Sequence, residues 1–439
     1  MEQNKNLLKK TLLNITRFVQ SESLLVYLLA IVLLTIPLNF SFGSIACITF
    51  LFVAFLSSKK VKFDFNLTLV FPISFYFLMM ISVYWSIKPE MSVHALQKEL
   101  LFLIMPIAFL LMPKLNKILI EKVLKIYSFG IVFYAVFYFA KAFLRYKTTQ
   151  NSAVFYFHQL VTLDLNAIFV ASMTSVALFY FVQAKKHLTN QICIIILLFF
   201  IFFLSSKSVI FIDIILMIWY YTYFSKTVLG VKTVTLVSFF TFFVLSFVFV
   251  PQIKNRFFTE YETAFVDNTV NKDFGDNNNK IFNISLSQAW NKNEFKSNDF
   301  FPGTAIRIFQ IRIFKEMMIE EKNFLTGFGL DATQDKIKEK TKKYKLYPFY
   351  GELNFHNQYI QTFSELGLFG FLILVIMLSL NLKNAVVAKD FLHIVFAFSM
   401  IVLFLTESFF CRQRGIVFFI TLYCIFNSVN STKPKIKSK

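Results

Sequence analysis

The amino-acid sequence predicts an all-α polytopic membrane protein with about twelve transmembrane helices and one large polar loop between the ninth and the tenth. Composition is the first ground: 56% of the 439 residues are hydrophobic, 19% are aromatic and only 16% are charged, a balance far from that of a soluble domain. Recurrence is the second, because apolar runs near the length of a bilayer crossing follow one another with short polar breaks. The third is a single long interruption, residues 251–355, after which the chain returns to an apolar helix at Asn354-Phe355-His356-Asn357.

The twelve apolar segments centre on 23–40, 44–57, 67–86, 99–112, 123–144, 165–184, 189–205, 208–224, 233–250, 357–380, 391–409 and 415–429. The second, fourth and last are short for a crossing. They divide the chain into an N-terminal membrane region (1–250), the loop (251–355), C-terminal membrane helices (356–430) and a basic tail (431–439). Met1–Gln20 is polar and basic and precedes a run long enough to span, so no cleavable signal peptide is expected. Within the loop, Asp267–Asp299 is rich in Asn, Asp and Lys and is expected to be irregular. Ala305–Glu321 has a helical period, with Ile308, Ile311, Phe314 and Met318 on one stripe. No separate soluble domain and no tandem repeat are recognised.

Orientation follows from lysine and arginine in the short loops. Residues 1–22, 58–66, 113–122, 185–187, 225–232, 381–390 and the tail carry most of them, including Arg17, Lys59, Lys60, Lys62 and Lys186. The opposite loops are poorer and are offset by Glu90, Asp164 and Glu407. This predicts cytoplasmic termini and an external 251–355 segment, since long loops weigh little in the rule. The formal charge of +20 then reads as lysines beside anionic lipid, not as a nucleic-acid surface. Cys47, Cys193, Cys411 and Cys424 form no CxxC pair, which argues for packing and against a zinc site or a disulfide framework. No metal or other cofactor is expected.

Lysine is the default cation here, at 38 residues against seven arginines. Six of the seven (Arg145, Arg256, Arg307, Arg312, Arg412 and Arg414) map to the outer side. Guanidinium groups bind phosphate oxygens bidentately and stay charged when partly desolvated. The pattern points to an anionic ligand, a phosphate in particular, at the outer boundary. Pairing with outer acids or snorkelling to headgroups explains the same pattern.

Several positions are candidate sites. His356 is expected to open a membrane helix, with Tyr359, Ile360, Phe363, Gly367 and Gly370 along its face. It serves there as a polar cap or as a base. Glu365 is nine residues on and on the opposite side, so it is expected to pair with another helix. Arg307 and Arg312 are five apart on the loop helix and do not share a stripe. Gly327-Phe328-Gly329 is a turn whose glycines would let backbone approach a ligand. Lys207, in Ser205-Ser206-Lys207-Ser208, is a phosphate contact or a snorkelling anchor. Glu407 with Arg412 and Arg414 forms either a diphosphate clamp or a structural ion pair.

The run from His356-Asn357-Gln358-Tyr359-Ile360-Gln361 through Glu365-Leu366-Gly367-Leu368-Phe369-Gly370 resembles the C-terminal signature of the O-antigen ligase and O-antigen polymerase superfamily. The arginine, helix and Gly327-Phe328-Gly329 upstream resemble that family's preceding block. Ser205-Ser206-Lys207 stands where the family usually has Ser-Arg, and Glu407–Phe418 resembles the last hairpin of Bacteroidetes-like members. Trp85-Ser86 and Lys98–Pro106 resemble the early outer loop. The resemblance implies a GT-C-like membrane glycosyltransferase of the bacterial inner membrane, acting at the periplasmic face. Its donor would be an undecaprenyl-diphosphate-linked glycan, and its acceptor lipid A-core or a second lipid-linked glycan. The transfer would be inverting, without nucleotide sugar or metal. In that frame His356 is the catalytic base, and Arg307, Arg312, Lys207, Arg412 and Arg414 are diphosphate contacts. Gly327, Gly329, Gly367, Gly370 and Glu407 are structural. The alternative from another class is a transporter or flippase for a lipid-linked or anionic solute, which would place buried charge near mid-membrane on broken helices.

Overall fold

The computed structural model describes residues 22–58, 65–161, 165–185, 187–275 and 280–428. Arg17, Lys59, Lys60, Lys62, Asp164, Lys186 and the 429–439 tail lie outside the described residues, as does the side chain of Arg256.

The chain forms α1 (Glu22–Thr35), α2 (Phe40–Ser57), α3 (Leu67–Ser82), α4 (Pro89–Glu99), α5 (Leu101–Leu111), α6 (Lys117–Thr149), α7 (Phe157–Val161), α8 (Ala167–Gln183), α9 (Leu188–Leu204), α10 (Lys207–Trp219) and α11 (Leu229–Phe249). A mostly polar segment follows, with α12 (Pro251–Phe265), β1 (Thr269–Gly275), β2 (Lys280–Asn283), α13 (Leu286–Asn291), β3 (Asp299–Phe300), α14 (Gly303–Glu321) and α15 (Gln334–Lys343). The chain closes with α16 (Gln358–Val387), α17 (Phe391–Leu403) and α18 (Gln413–Asn427).

Among the described residues, six helical stretches are long and apolar enough to cross a membrane, and six shorter apolar helices accompany them. All twelve fall where the hydropathy pattern places them. Among the longer stretches only 33–44% of the most apolar window is buried inside the protein. The remainder displays side chains such as Ile48 and Phe133 outward, as lipid-facing helices do. The chain is a multi-pass, predominantly helical membrane protein.

Asparagine sets many of the helix starts. Asn39, Asn66, Asn116, Asn166 and Asn357 each accept a backbone N–H of the first turn of the helix they precede, satisfying donors that would otherwise face an apolar surface. The two ends of the bundle are held differently. One end carries a network in which Asn427 Nδ2 and the His393 ring reach Asn381 Oδ1 at 2.7 and 2.8 Å. There Asn384 Nδ2 donates to Asn427 Oδ1 (2.8 Å) and Thr68 Oγ1 (3.0 Å). The other end gathers the loops at 36–39, 83–88, 205–206 and 404–412 under the polar segment.

That segment is more structured than its composition predicts. Ile284, Phe295, Phe301, Phe309, Phe328 and Phe355 belong to a buried cluster separate from the bundle core. Residues 267–299, expected to be irregular, instead hold the strands: β1 pairs with β2 antiparallel, and β2 pairs with β3 in parallel. The polar side chains hid a pairing that long-range contact supplies. Along α14 the buried stripe is Ala305, Ile306, Phe309, Gln310, Ile313 and Met317 with Met318. The expected stripe of Ile308, Ile311 and Phe314 is only partly covered, because the apolar surface of this helix is too broad for periodicity to choose a face.

Candidate functional site

His356 is not in the helix. It stands one residue before the N-cap Asn357 with φ 45°, in the left-handed region that costs a β-carbon residue roughly 1–3 kcal/mol. The strain turns the ring away from the α16 face expected to carry it and towards Glu407, whose Oε2 lies 3.7 Å from Nδ1. Nδ1 is buried and, among the described residues, has no hydrogen-bond partner. Glu407 itself is 6% exposed. Its other oxygen accepts from Arg307 NH2 at 3.2 Å, so one carboxylate faces both groups.

The 404–410 hairpin holds Glu407 in place by stitching to the residues that follow His356. Gln358 N donates to Phe404 O (2.8 Å), Asn357 N to Ser408 Oγ (3.1 Å), and Asn357 Nδ2 to Leu405 O (3.1 Å). Gln358 Oε1 accepts from Phe410 N (2.8 Å), and Tyr359 OH donates to Ile401 O (2.9 Å). Arg307 is anchored on α14 and to the same hairpin, donating from NH1 to Gly303 O (2.9 Å) and from Nε to Thr406 O (3.1 Å). With the Glu407 contact, three of its five N–H donors are engaged.

Lys207 opens α10 after Ser205, which has φ 49°. It pairs with Glu260, which also accepts from Thr304 Oγ1. The neighbouring Ser208 Oγ meets Thr406 Oγ1 at 3.3 Å. The 405–407 stretch therefore meets α14 through Arg307, the start of α10 through Ser208 and the His356 turn through Asn357, segments far apart in sequence.

The other expected anion contacts lie elsewhere. Arg312 donates to Glu316 Oε1 (3.1 Å), Lys292 O (2.8 Å) and Tyr344 OH (3.0 Å), and its guanidinium stacks 4.6 Å over the Tyr344 ring. Its side chain is only 12% exposed, and these contacts knit α13, α14 and α15. Arg145 likewise donates to backbone carbonyls of Val154, Gln159 and Leu160. Arg412 and Arg414 line a cavity beside α6 and α8. Arg414 NH2 donates to Leu38 O at 2.9 Å.

The glycine turn approaches protein, not open space. Gly327 (φ 70°) and Gly329 (φ 99°) lie against α16, with Phe328 N donating to Ser364 O (2.8 Å) and Gly329 N to Glu365 O (2.9 Å). A Cβ on Gly327 would come within 2.6 Å of the Glu365 carbonyl, and one on Gly329 would enter Ser86. α16 is itself interrupted at Gly367, with φ 62° and ψ −160°, and Leu368 N turns to Phe324 O (2.8 Å). Gly367, expected to be structural, serves this break through its positive φ. Gly370 leaves room for the Leu366 side chain of its own helix. Trp85 Nε1 donates to Thr326 O (3.0 Å) and Ile87 N to Phe328 O (3.0 Å), so the early loop clamps the same turn. Glu365 accepts from Gln361 Nε2 of its own helix at 2.6 Å, and from outside that helix the Asp331 backbone N–H and the Lys98 ammonium of α4 also act on its carboxylate. Beside it lies a small enclosed space also lined by Lys98, Glu99 and Asp331.

Among the described residues, no cluster of His, Cys, Asp and Glu has a metal-holding arrangement. The four cysteines are free, and three are buried. The residue that sequence reasoning undervalued is Glu407, set down as structural. Its link to His356 crosses from α16 to the α17–α18 hairpin and has no spacing signal.

Residues 192–375 match the family described as O-antigen ligase. The match runs from α9 into α16 and takes in Lys207, Arg307 and His356, while Glu407, Arg412 and Arg414 lie beyond it. No curated protein matches the chain.

Proposed function

We propose that the chain, whose residues 192–375 match the O-antigen ligase family, moves a glycan from a polyprenyl-diphosphate carrier to an acceptor hydroxyl beside His356. The observation that carries this reading is the Arg307–Glu407–His356 cluster, with Glu407 3.2 Å from one and 3.7 Å from the other.

With Nδ1 turned to Glu407, the His356 Nε2 is the atom left for substrate. It takes the proton of the acceptor hydroxyl as that oxygen attacks the anomeric carbon. The bond from that carbon to the diphosphate oxygen breaks, and the electron pair leaves with the polyprenyl diphosphate. Attack opposite the leaving group inverts the anomeric centre. Glu407 stabilises the imidazolium that forms. Its 3.7 Å separation is longer than a hydrogen bond, and contacts of this kind close when substrate binds. Arg307 and Lys207 offset the charge developing on the diphosphate, the kind of electrostatic contribution that is often the largest. Arg312, saturated within the polar segment, is assigned a structural role.

The site is read as periplasmic, with both termini cytoplasmic and the protein in the inner membrane. Lipid A-core or a second lipid-linked glycan is the acceptor. The transporter reading has little to stand on. The interrupted helix it would use, α16 at Gly367, is filled by the backbone of Leu325 and Thr326.

The test is a cell carrying His356→Ala or Arg307→Ala. Lipid-linked glycan is expected to accumulate on the outer leaflet, with transfer reduced on the order of 10²–10⁴-fold for the loss of a base. Glycan retained on the inner leaflet would overturn the reading in favour of translocation.

A further inference from the structure

Beside the 404–412 hairpin the bundle opens into a cavity of about 780 Å³, bounded by the 37–40 loop, α6, the start of α8 and residues 411–414. None of Lys207, Arg307, His356 or Glu407 lines it. Four cations do: Lys98, Lys141, Arg412 and Arg414. Among the described lining residues none is acidic.

Lys98 also lines the adjoining enclosed space, where Glu99 stands 3.7 Å away and Asp331 and Glu365 attract it, so it brings this cavity less net charge than the other three cations. Arg414 is oriented by Leu38 O and by the Phe40 ring, 4.3 Å from its guanidinium carbon. Lys141 and Arg412 make no side-chain ion pair or hydrogen bond among the described residues. Like charges gathered where water is restricted repel one another unless a counter-anion joins them. Two guanidinium groups suit phosphate oxygens in particular. Phe137, Phe169 and Met173 supply apolar lining, and the volume lies within the range of small-molecule sites. The combination fits an anionic sugar headgroup attached to a lipid.

A leaving diphosphate must lie at the reacting carbon, and so near His356, which is not part of this cavity. An anion held here belongs to the other substrate. We propose that the cavity is the acceptor subsite, holding the phosphate groups of a phosphorylated glycolipid through Lys141 and Arg412 with Lys98 and Arg414, while the donor diphosphate sits at Lys207 and Arg307. The assignment rests on the glycan-transfer reading above and removes Arg412 and Arg414 from the donor's contacts.

Binding tests it without turnover. The full-length protein in neutral-lipid nanodiscs is titrated with a bis-phosphorylated glucosamine disaccharide lipid and, separately, with undecaprenyl diphosphate. The double variant Lys141→Gln/Arg412→Gln breaks no described contact, and an unchanged melting temperature verifies its fold. It should weaken the disaccharide lipid by about tenfold or more, since two charge-assisted contacts are lost, and leave undecaprenyl diphosphate within about twofold. Arg307→Gln should do the reverse. Unchanged disaccharide-lipid affinity in the double variant would overturn the proposal. So would a loss confined to undecaprenyl diphosphate, which would assign the cavity to the donor. Failure of the transfer reading shows instead in the His356→Ala assay and leaves these affinities untouched.

Discussion

Glu407 is the residue on which the site turns. It is buried and faces both Arg307 and His356, and in the proposed reaction it steadies the imidazole while Nε2 takes the acceptor's proton. Glu407→Gln keeps the shape and removes the charge. Transfer is expected to fall on the order of 10²-fold, as when one preorganised electrostatic partner is lost, with donor binding retained. A kcat measured with synthetic lipid-linked donor checks this, and an unchanged kcat would leave Glu407 a purely structural role. Gly329 makes a different kind of demand. At φ 99°, with Ser86 where a Cβ would stand, Gly329→Ala should cost at least the roughly 1–3 kcal/mol of a strained backbone position. A lowered melting temperature is the expected readout.

At the scale of elements, the hairpin between α17 and α18 acts as a bracket. Gln358 supplies both a backbone donor to Phe404 O and a side-chain acceptor for Phe410 N, each at 2.8 Å. Gln358→Ala leaves a buried N–H unpaired, at a cost of about 1–3 kcal/mol. It should also let Glu407 drift from His356, so kcat should fall although residue 358 touches no substrate; wild-type kcat in this variant would mean that the backbone stitches suffice. The α14–α15 pair has its own bracket around Glu316. Burial alone would raise the Glu316 pKa, but hydrogen bonds from Tyr344, Lys340 and Arg312 lower it below its ordinary 4.5. A carboxylate with a depressed folded pKa contributes stability that is complete above its unfolded pKa and is lost as pH falls through the folded one. The polar segment should therefore loosen below about pH 4.5, and Glu316→Gln should flatten that acid limb. Melting curves at neutral and acid pH compare the two.

For the whole molecule, the candidate site and the buried amide network occupy opposite ends. The Asn381–Asn384–Asn427–His393–Thr68 network joins α3, α16, α17 and α18 away from the site. Asn427→Ala should lower thermal stability by about 1–3 kcal/mol through unpaired buried amides and leave KM for the donor unchanged. A large KM effect would mean that the two ends are coupled. The polar segment is no passive cover. Its glycine turn fills the break in α16, and its helix α14 delivers Arg307, so loss of its core is expected to abolish transfer even with the bundle intact.

The positions of the apolar helices were legible in the sequence because hydrophobic length and Asn caps are local signals, carried within one helix. His356, Arg307 and Lys207 stood out as residue types unlike their surroundings, and the family resemblance reached them. Four things were settled only by tertiary structure: the partnership of His356 with Glu407, the saturation of Arg312 inside the polar segment, the role of Gly327 and Gly329 against α16, and the gathering of Lys98, Lys141, Arg412 and Arg414 around one cavity. Each depends on which side chains from distant elements meet. Burial and charge pairing are properties of that meeting, not of any stretch of chain read alone.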